Sequence, residues 1–174
     1  TRLYDPVKAR VELPYIHGNP DNPADIEVYA VITAPGRKKM TLPAFCLRND
    51  RAAGRSLWEV RFTPDAEGRY RYYLKARAKE VIANTRTRRM KVVPGPGDGF
   101  LRVSQANSHY MVFDSGKPFF GIGHNVAWVN NGSIRIFERY FSELAENGCN
   151  MARVWICDWS LPLEWEALGS YDRK

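Results

Sequence analysis

Residues 116–165 read GKPFFGIGHNVAWVNNGSIRIFERYFSELAENGCNMARVWICDWSLPLEW, and the changes of period along this stretch decide the architecture. PFFGIG, residues 118–123, carries no polar side chain, as a parallel strand buried on both faces requires. Ser133 can accept hydrogen bonds from the free N–H groups that open a helix, and Ile136, Phe137, Tyr140, Phe141, Leu144 and Ala145 then recur at the spacing of one helical face. Gly148 can take the left-handed conformation that ends such a helix. MARVWI, residues 151–156, follows as a second strand rich in β-branched and aromatic side chains. The pattern is one β-α-β unit. Parallel strands joined this way need neighbours on both sides, so the expectation is the opening of a larger α/β domain whose remainder is absent from this sequence.

Upstream the period falls to two. In VKARVEL, Val7, Ala9, Val11 and Leu13 share one face while Lys8, Arg10 and Glu12 share the other, the signature of a half-buried strand. IEVYAVIT sets Ile26, Val28, Ala30 and Ile32 on one face after a loop rich in Asn, Pro and Asp. SLWEVRFTPDAEGRYRYYLKARA places Trp58, Val60 and Phe62 on one face, a turn at PDAEG, and Tyr70, Tyr72, Leu74 and Ala76 on the returning strand, which predicts a hairpin. With RTRRMKVV as a further strand, residues 1–93 have the alternation and turn signals of a small antiparallel β-sandwich. PGPGDG, residues 94–99, suits no strand or helix interior and is predicted to be a linker. Beyond it, FLRVS and HYMVF, with a turn at DSGK, lead into the predicted buried strand, and residues 100–174 form the second predicted domain.

Composition bounds the function. At 174 residues, with 44% hydrophobic and 13% aromatic side chains, the chain has enough apolar material for a real core. No apolar run reaches the roughly 20 residues needed to cross a bilayer, so no membrane partner is expected. The net charge of +7 and the run RTRRMK at 86–91 raise a nucleic-acid reading. The other basic residues alternate with apolar ones along predicted strands, so a solvated sheet face explains them better and no nucleic-acid partner is expected. Cys46, Cys149 and Cys157 are odd in number and form no C-x-x-C pair, so neither a disulfide framework nor a zinc site is indicated, and no metal or cofactor is expected.

FTPDAEGRYRYYLKA, GFLRVSQANSHYMVFDSGKPFFGIGHNVAW and ENGCNMARVWICDW together resemble bacterial cellulase-like glycoside hydrolases in which an immunoglobulin-like sandwich precedes a TIM barrel. The resemblance covers nearly the whole chain. It implies a mainly β protein: an immunoglobulin-like accessory sandwich at 1–93, then the first β-α-β unit of a truncated (β/α)8 barrel. It also implies action on a polysaccharide or oligosaccharide and a secreted or periplasmic location. The family places its acid/base on the fourth barrel strand and its nucleophile on the seventh, both of which would lie beyond Lys174, so no catalytic residue is assigned within this chain.

Functional groups in a TIM barrel gather where strands meet the following loops, which places His124, Asn125 and Trp128 after the first strand and Asp158 and Trp159 after the second. Tryptophan faces stack on the C–H faces of pyranose rings, while Asn, His and Asp hydrogen-bond to hydroxyls. Trp155 and Trp165 have the alternative of packing in the interior or at the severed edge. The family resemblance implies an arginine on the second strand near the nucleophile, and Arg153 in NMARVW stands there. Inside a barrel it needs a carboxylate to offset its desolvation, with a salt bridge to Asp158 or Glu164 as the structural alternative. Glycoside cleavage requires two carboxylates, and Asp158, Glu164 and Glu166 are the acids near the expected cleft. The chain alone is therefore expected to be inactive, with self-association through exposed barrel edges. The competing reading is a non-catalytic carbohydrate-binding or protein-contact module presenting Tyr29, Tyr70 and Tyr73.

Overall fold

The computed structural model describes residues 1–78, 82–127 and 134–155, and it divides the chain after Phe100 into two compact units. The first unit is built from β1 (Val7–Pro14), β2 (Ile26–Thr33), β3 (Lys39–Pro43), β4 (Phe45–Asp50), β5 (Arg55–Phe62), β6 (Gly68–Ala78), β7 (Ile82–Asn84) and β8 (Arg88–Val92). These strands form two antiparallel sheets, one in the order β1-β5-β4 and one in the order β3-β2-β6-β7 with β8 also on β6. Both sheets contribute to one core. Ala9, Val60 and Phe62 of the first sheet cluster with Ala30, Ile32, Tyr70, Tyr72, Leu74 and Val92 of the second, and Trp58 and Leu13 meet Ile26, Val28 and Ala76 in an adjoining cluster.

The expected hairpin between the SLWEVRF and RYRYYLKARA strands does not form. β5 pairs with β1 and β4, whereas β6 pairs with β2, β7 and β8, so the connection at 63–67 crosses from one sheet to the other. Alternation marks which face of a strand is buried, and two strands facing each other across a core alternate in the same way as two paired in one sheet. The crossing is held by Tyr70, whose hydroxyl donates to Asp65 Oδ1 at 3.3 Å and accepts the Ala66 N–H at 3.1 Å.

Residues 94–100 stay with the first unit. The N-terminus lies beside them, with Leu3 N–H donating to the Val93 carbonyl at 2.7 Å and Phe100 meeting the Tyr4 ring edge to face at 5.9 Å.

The second unit opens with three short antiparallel strands, β9 (Leu101–Val103), β10 (Met111–Phe113) and β11 (Pro118–Phe119). It continues through β12 (Gly123–Val126), α1 (Ile134–Glu146) and β13 (Met151–Val154), and β12 and β13 pair in parallel. The β-α-β order is as expected, but its first strand starts later. PFFGIG is not a strand buried on both faces: Pro118 and Phe119 finish the antiparallel sheet, Phe120 is 77% exposed and Ile122 is 51% exposed. Gly123 sets the start of pairing, because a Cβ there would overlap the carbonyl oxygen of Met151.

The end of α1 follows the sequence closely. Gly148 has φ +77°, its N–H donates to the Ala145 carbonyl at 3.0 Å, and Cys149 N–H reaches the Leu144 carbonyl at 2.9 Å, which is a Schellman cap. Ser133, the expected opening cap, lies outside the described residues. Among the described residues beyond Phe100, Phe137 is the one buried hydrophobic side chain.

Candidate functional site

His124 and Asn125 sit within β12 rather than in the loop after it, and this changes what they can do together. Neighbouring residues of a strand point to opposite faces. In the parallel register Asn125 stands opposite Arg153, and His124 stands opposite Ala152. Asn125 and Arg153 therefore share one face of the two-stranded sheet, while His124 belongs to the other. Exposure along 151–155 alternates accordingly, with Met151, Arg153 and Trp155 exposed and Ala152 and Val154 half-buried.

Trp155 joins Asn125 and Arg153 on their face. The Arg153 guanidinium carbon lies 5.9 Å from the centroid of the Trp155 ring, at the outer reach of a cation–π contact. Sequence reading left Trp155 between interior packing and ligand contact, although the spacing R-V-W already put both side chains on one face. Arg153 is exposed and makes no ion pair among the described residues. Trp128, Asp158 and Trp159, and with them Cys157, Glu164, Trp165 and Glu166, lie outside the described residues.

A groove of about 550 Å³ runs between β12 and α1, with His124, Asn125, Tyr140, Glu143 and Asn147 among its lining. Glu143 is the one carboxylate among these residues, and it is engaged by Arg139 one helical turn away at 3.2 Å. Glycoside cleavage takes a pair of carboxylates, and Glu143 is one acid among the described lining residues. No group of three or more metal-ligating side chains exists among the described residues.

Sequence reading overlooked Asn150, which shapes the start of the site. Its Oδ1 accepts the Ile122 N–H at 2.8 Å and its Nδ2 donates to the Phe120 carbonyl at 2.9 Å, while its own N–H donates to the Ile122 carbonyl at 2.8 Å. These bonds tie the segment entering β12 to the residue preceding β13.

One carboxylate in the first unit has the burial expected of a catalytic group. The Glu59 side chain is 0% exposed, yet its cover is two guanidinium groups, with Arg10 Nε and Arg61 Nε each 2.6 Å from a different carboxylate oxygen. The Arg10 and Arg61 hydrogen bonds hold its pKa below the ordinary value despite the opposing effect of desolvation. A carboxylate kept ionised with both oxygens occupied can neither protonate a leaving group nor attack carbon. Glu59 instead organises the outer surface of its sheet, where the Arg61 guanidinium also lies 4.8 Å from the centre of the Phe45 ring.

Residues 2–77 match a family described as a domain of unknown function, DUF5060. No curated protein matches the chain. Among solved structures, a protein from Bacteroides vulgatus ATCC 8482 described as a putative glycoside hydrolase is similar with a TM-score of 0.60 and 21% identity. The match covers 90% of this chain and 28% of that one, so the present sequence spans about 28% of its neighbour's length. At this identity the likeness defines a shared fold.

Proposed function

We propose that this chain is part of a retaining glycoside hydrolase that acts on a polysaccharide, with an immunoglobulin-like β-sandwich at 1–93, a connection at 94–99 and the first β-α-β unit of a (β/α)8 barrel from residue 100. The observation that carries this reading is the parallel β12-α1-β13 unit. Its Asn125, Arg153 and Trp155 share one exposed sheet face, and Phe137 is the one buried hydrophobic side chain described beyond Phe100. A parallel pair with so little cover needs further strands and helices to bury it. Closing the barrel would turn the Asn125, Arg153 and Trp155 face inward, where a hydrogen-bonding amide, a guanidinium and an aromatic ring would meet sugar.

The Tyr70 hydroxyl bonded back to residues 65 and 66 supports the immunoglobulin-like assignment, because a tyrosine corner of this kind marks such sandwiches. The name of the Bacteroides vulgatus neighbour and the share of that chain left unmatched support the hydrolase reading. In this proposal the two catalytic carboxylates come from barrel strands outside the present sequence, and the 174-residue chain alone does not cleave glycosides. It also self-associates through the exposed Phe120, Ile122 and Met151 side chains. The test is the intact mass of the native gene product together with reducing-sugar release from a polysaccharide panel. A mass larger by on the order of 20 kDa or more with measurable release is expected, since a whole barrel takes roughly 250 residues and the stretch from residue 100 supplies part of one. A mass of 20.0 kDa with no release would overturn the proposal.

A further inference from the structure

The outer face of the β3-β2-β6-β8 sheet concentrates positive charge in register. Tyr70, Tyr72, Leu74 and Ala76 point into the core, so Arg69, Arg71, Tyr73, Lys75 and Arg77 point outward from the same strand. In the antiparallel pairing, Arg69 stands directly opposite Lys91 and Arg71 directly opposite Arg89. The row through Arg71 continues across Thr33 to Lys39, and the next rows hold Tyr73 opposite Val31 and Lys75 opposite Tyr29. Glu27, opposite Arg77, is the one carboxylate among these register positions in the described strands.

None of Arg69, Arg71, Lys75, Arg77, Arg89 or Lys91 forms an ion pair with a described residue. Like charges directly opposite each other weaken strand pairing, and two such pairs are adjacent here. A depression of about 280 Å³ lies at the same place, lined by Arg69, Arg71, Arg89 and Lys91 together with Tyr70 and Met90. An anion lying across the two pairs would offset their repulsion and present acceptors to the guanidinium forks.

We propose that this face, centred on Arg71 and Arg89, binds an acidic polysaccharide whose repeating carboxylates lie across the two like-charged pairs. The choice of a glycan as occupant rests on the hydrolase reading above and makes the first unit the part that holds the acidic chain. Tyr29 and Tyr73 are half-buried beside the cations, and the Lys75 ammonium lies 5.8 Å from the Tyr73 ring centre. Rings set into the surface suit the C–H faces and hydroxyls of sugars, whereas readers of single-stranded nucleic acid stack bases on projecting aromatic side chains. Planar carboxylates of uronic acids match arginine bidentately.

The experiment measures binding of the 174-residue chain to polygalacturonate, to neutral hydroxyethylcellulose and to duplex DNA, each at low and moderate salt. Salt-sensitive binding to polygalacturonate and none to the neutral polymer is expected. The Arg71→Gln/Arg89→Gln double variant is expected to lose at least about tenfold in affinity, the equivalent of about one charge-assisted hydrogen bond. Its thermal midpoint is expected not to fall, because the substitutions remove a repulsion. Arg55→Gln, which removes an exposed cation paired with Glu12 on the other sheet, should bind as the unaltered chain does. Equal binding to the neutral polymer, tighter binding to DNA at the same salt, or an affinity untouched by the double substitution would each overturn the proposal. Sugar release by the native gene product is read separately, so failure here leaves the hydrolase reading standing and the two failures are told apart.

Discussion

Asn150 and Ile122 are joined by two hydrogen bonds in opposite senses: the Asn150 side-chain oxygen accepts the Ile122 N–H at 2.8 Å, and the Asn150 N–H donates to the Ile122 carbonyl at 2.8 Å. The side-chain amide completes the clamp on the Phe120 carbonyl at 2.9 Å. Asn150→Ala keeps the backbone bond and removes both side-chain bonds. Because the groups are exposed, water compensates in part, and the local cost should be about 0.5–1.5 kcal/mol. Hydrogen exchange at the Ile122 amide should then rise by up to about tenfold while unfolding of the first unit stays unchanged. Protection equal to that of the unaltered chain would mean that the clamp contributes nothing.

Gly123 is the tighter constraint on the same pairing. A methyl group there collides with the Met151 carbonyl oxygen, which is backbone and cannot rotate away. Gly123→Ala should therefore separate β12 from β13 rather than merely strain them, and amide protection across Gly123–Val126 and Met151–Val154 should be lost together. If that protection survives the substitution, the close parallel approach is not the one described.

Tyr70 gives a separate reading of the first unit. Its hydroxyl is buried and makes two bonds, to Asp65 and from Ala66 N–H. Tyr70→Phe leaves the ring in the core and strands the Ala66 N–H, at a cost of about 1–2 kcal/mol. That should lower the thermal midpoint by about 4–8 °C for each kcal/mol in a unit of this size. An unchanged midpoint would show that the 65–70 crossing is held by packing alone.

The strands of the first unit were legible because one face of each is buried and the other wet, as in Ala9 and Leu13 against Arg10 and Glu12. Their pairing was not legible. Trp58 to Phe62 and Tyr70 to Ala76 alternate identically whether they share a sheet or face each other across the core, and only the Tyr70 bonds at the D-A-E-G-R-Y turn distinguish the two. The helix and its Gly148 cap were legible for a related reason, since a positive φ and a helical stripe are local properties. In PFFGIG an all-apolar run does not mean burial, because where the strand starts depends on the close approach of Gly123 to the Met151 carbonyl and on the Asn150 side chain. Of the expected sugar contacts, Asn125 and Arg153 share a face and His124 does not. That distinction required knowing where β12 begins.

Glu59 should make the first unit acid-sensitive. The native carboxylate has its pKa lowered by Arg10 and then Arg61 from the ordinary value of 4.5. A group whose folded pKa is depressed contributes its stability above the unfolded pKa and loses it as pH falls through the folded value. Stability should thus be flat with respect to this group at neutral pH and decline below about pH 4.5. Glu59→Gln, which cannot ionise, should be less stable than the unaltered chain at pH 7 and should show a shallower decline in acid. Parallel urea-midpoint curves for the two proteins between neutral and acid pH would remove Glu59 from the account.

The sharpest prediction for the proposed activity concerns the face that Asn125 and Arg153 share. If a closed barrel turns this face inward, Arg153 meets the carboxylate that offsets its desolvation, and Asn125 meets a sugar hydroxyl or that same carboxylate. Under the proposed hydrolase activity, Arg153→Ala in the native gene product should then lower kcat/KM by about a hundredfold, as removal of one fixed donor to developing charge commonly does. Arg153→Lys should recover only part of this, since an ammonium cannot reproduce the planar fork. Asn125→Ala should cost more than His124→Ala, because β12 directs the two side chains to opposite faces. Should His124→Ala be the more damaging of the pair, the face carrying His124 and Ala152 is the one that meets substrate, and the inward face of the barrel has been assigned the wrong way round.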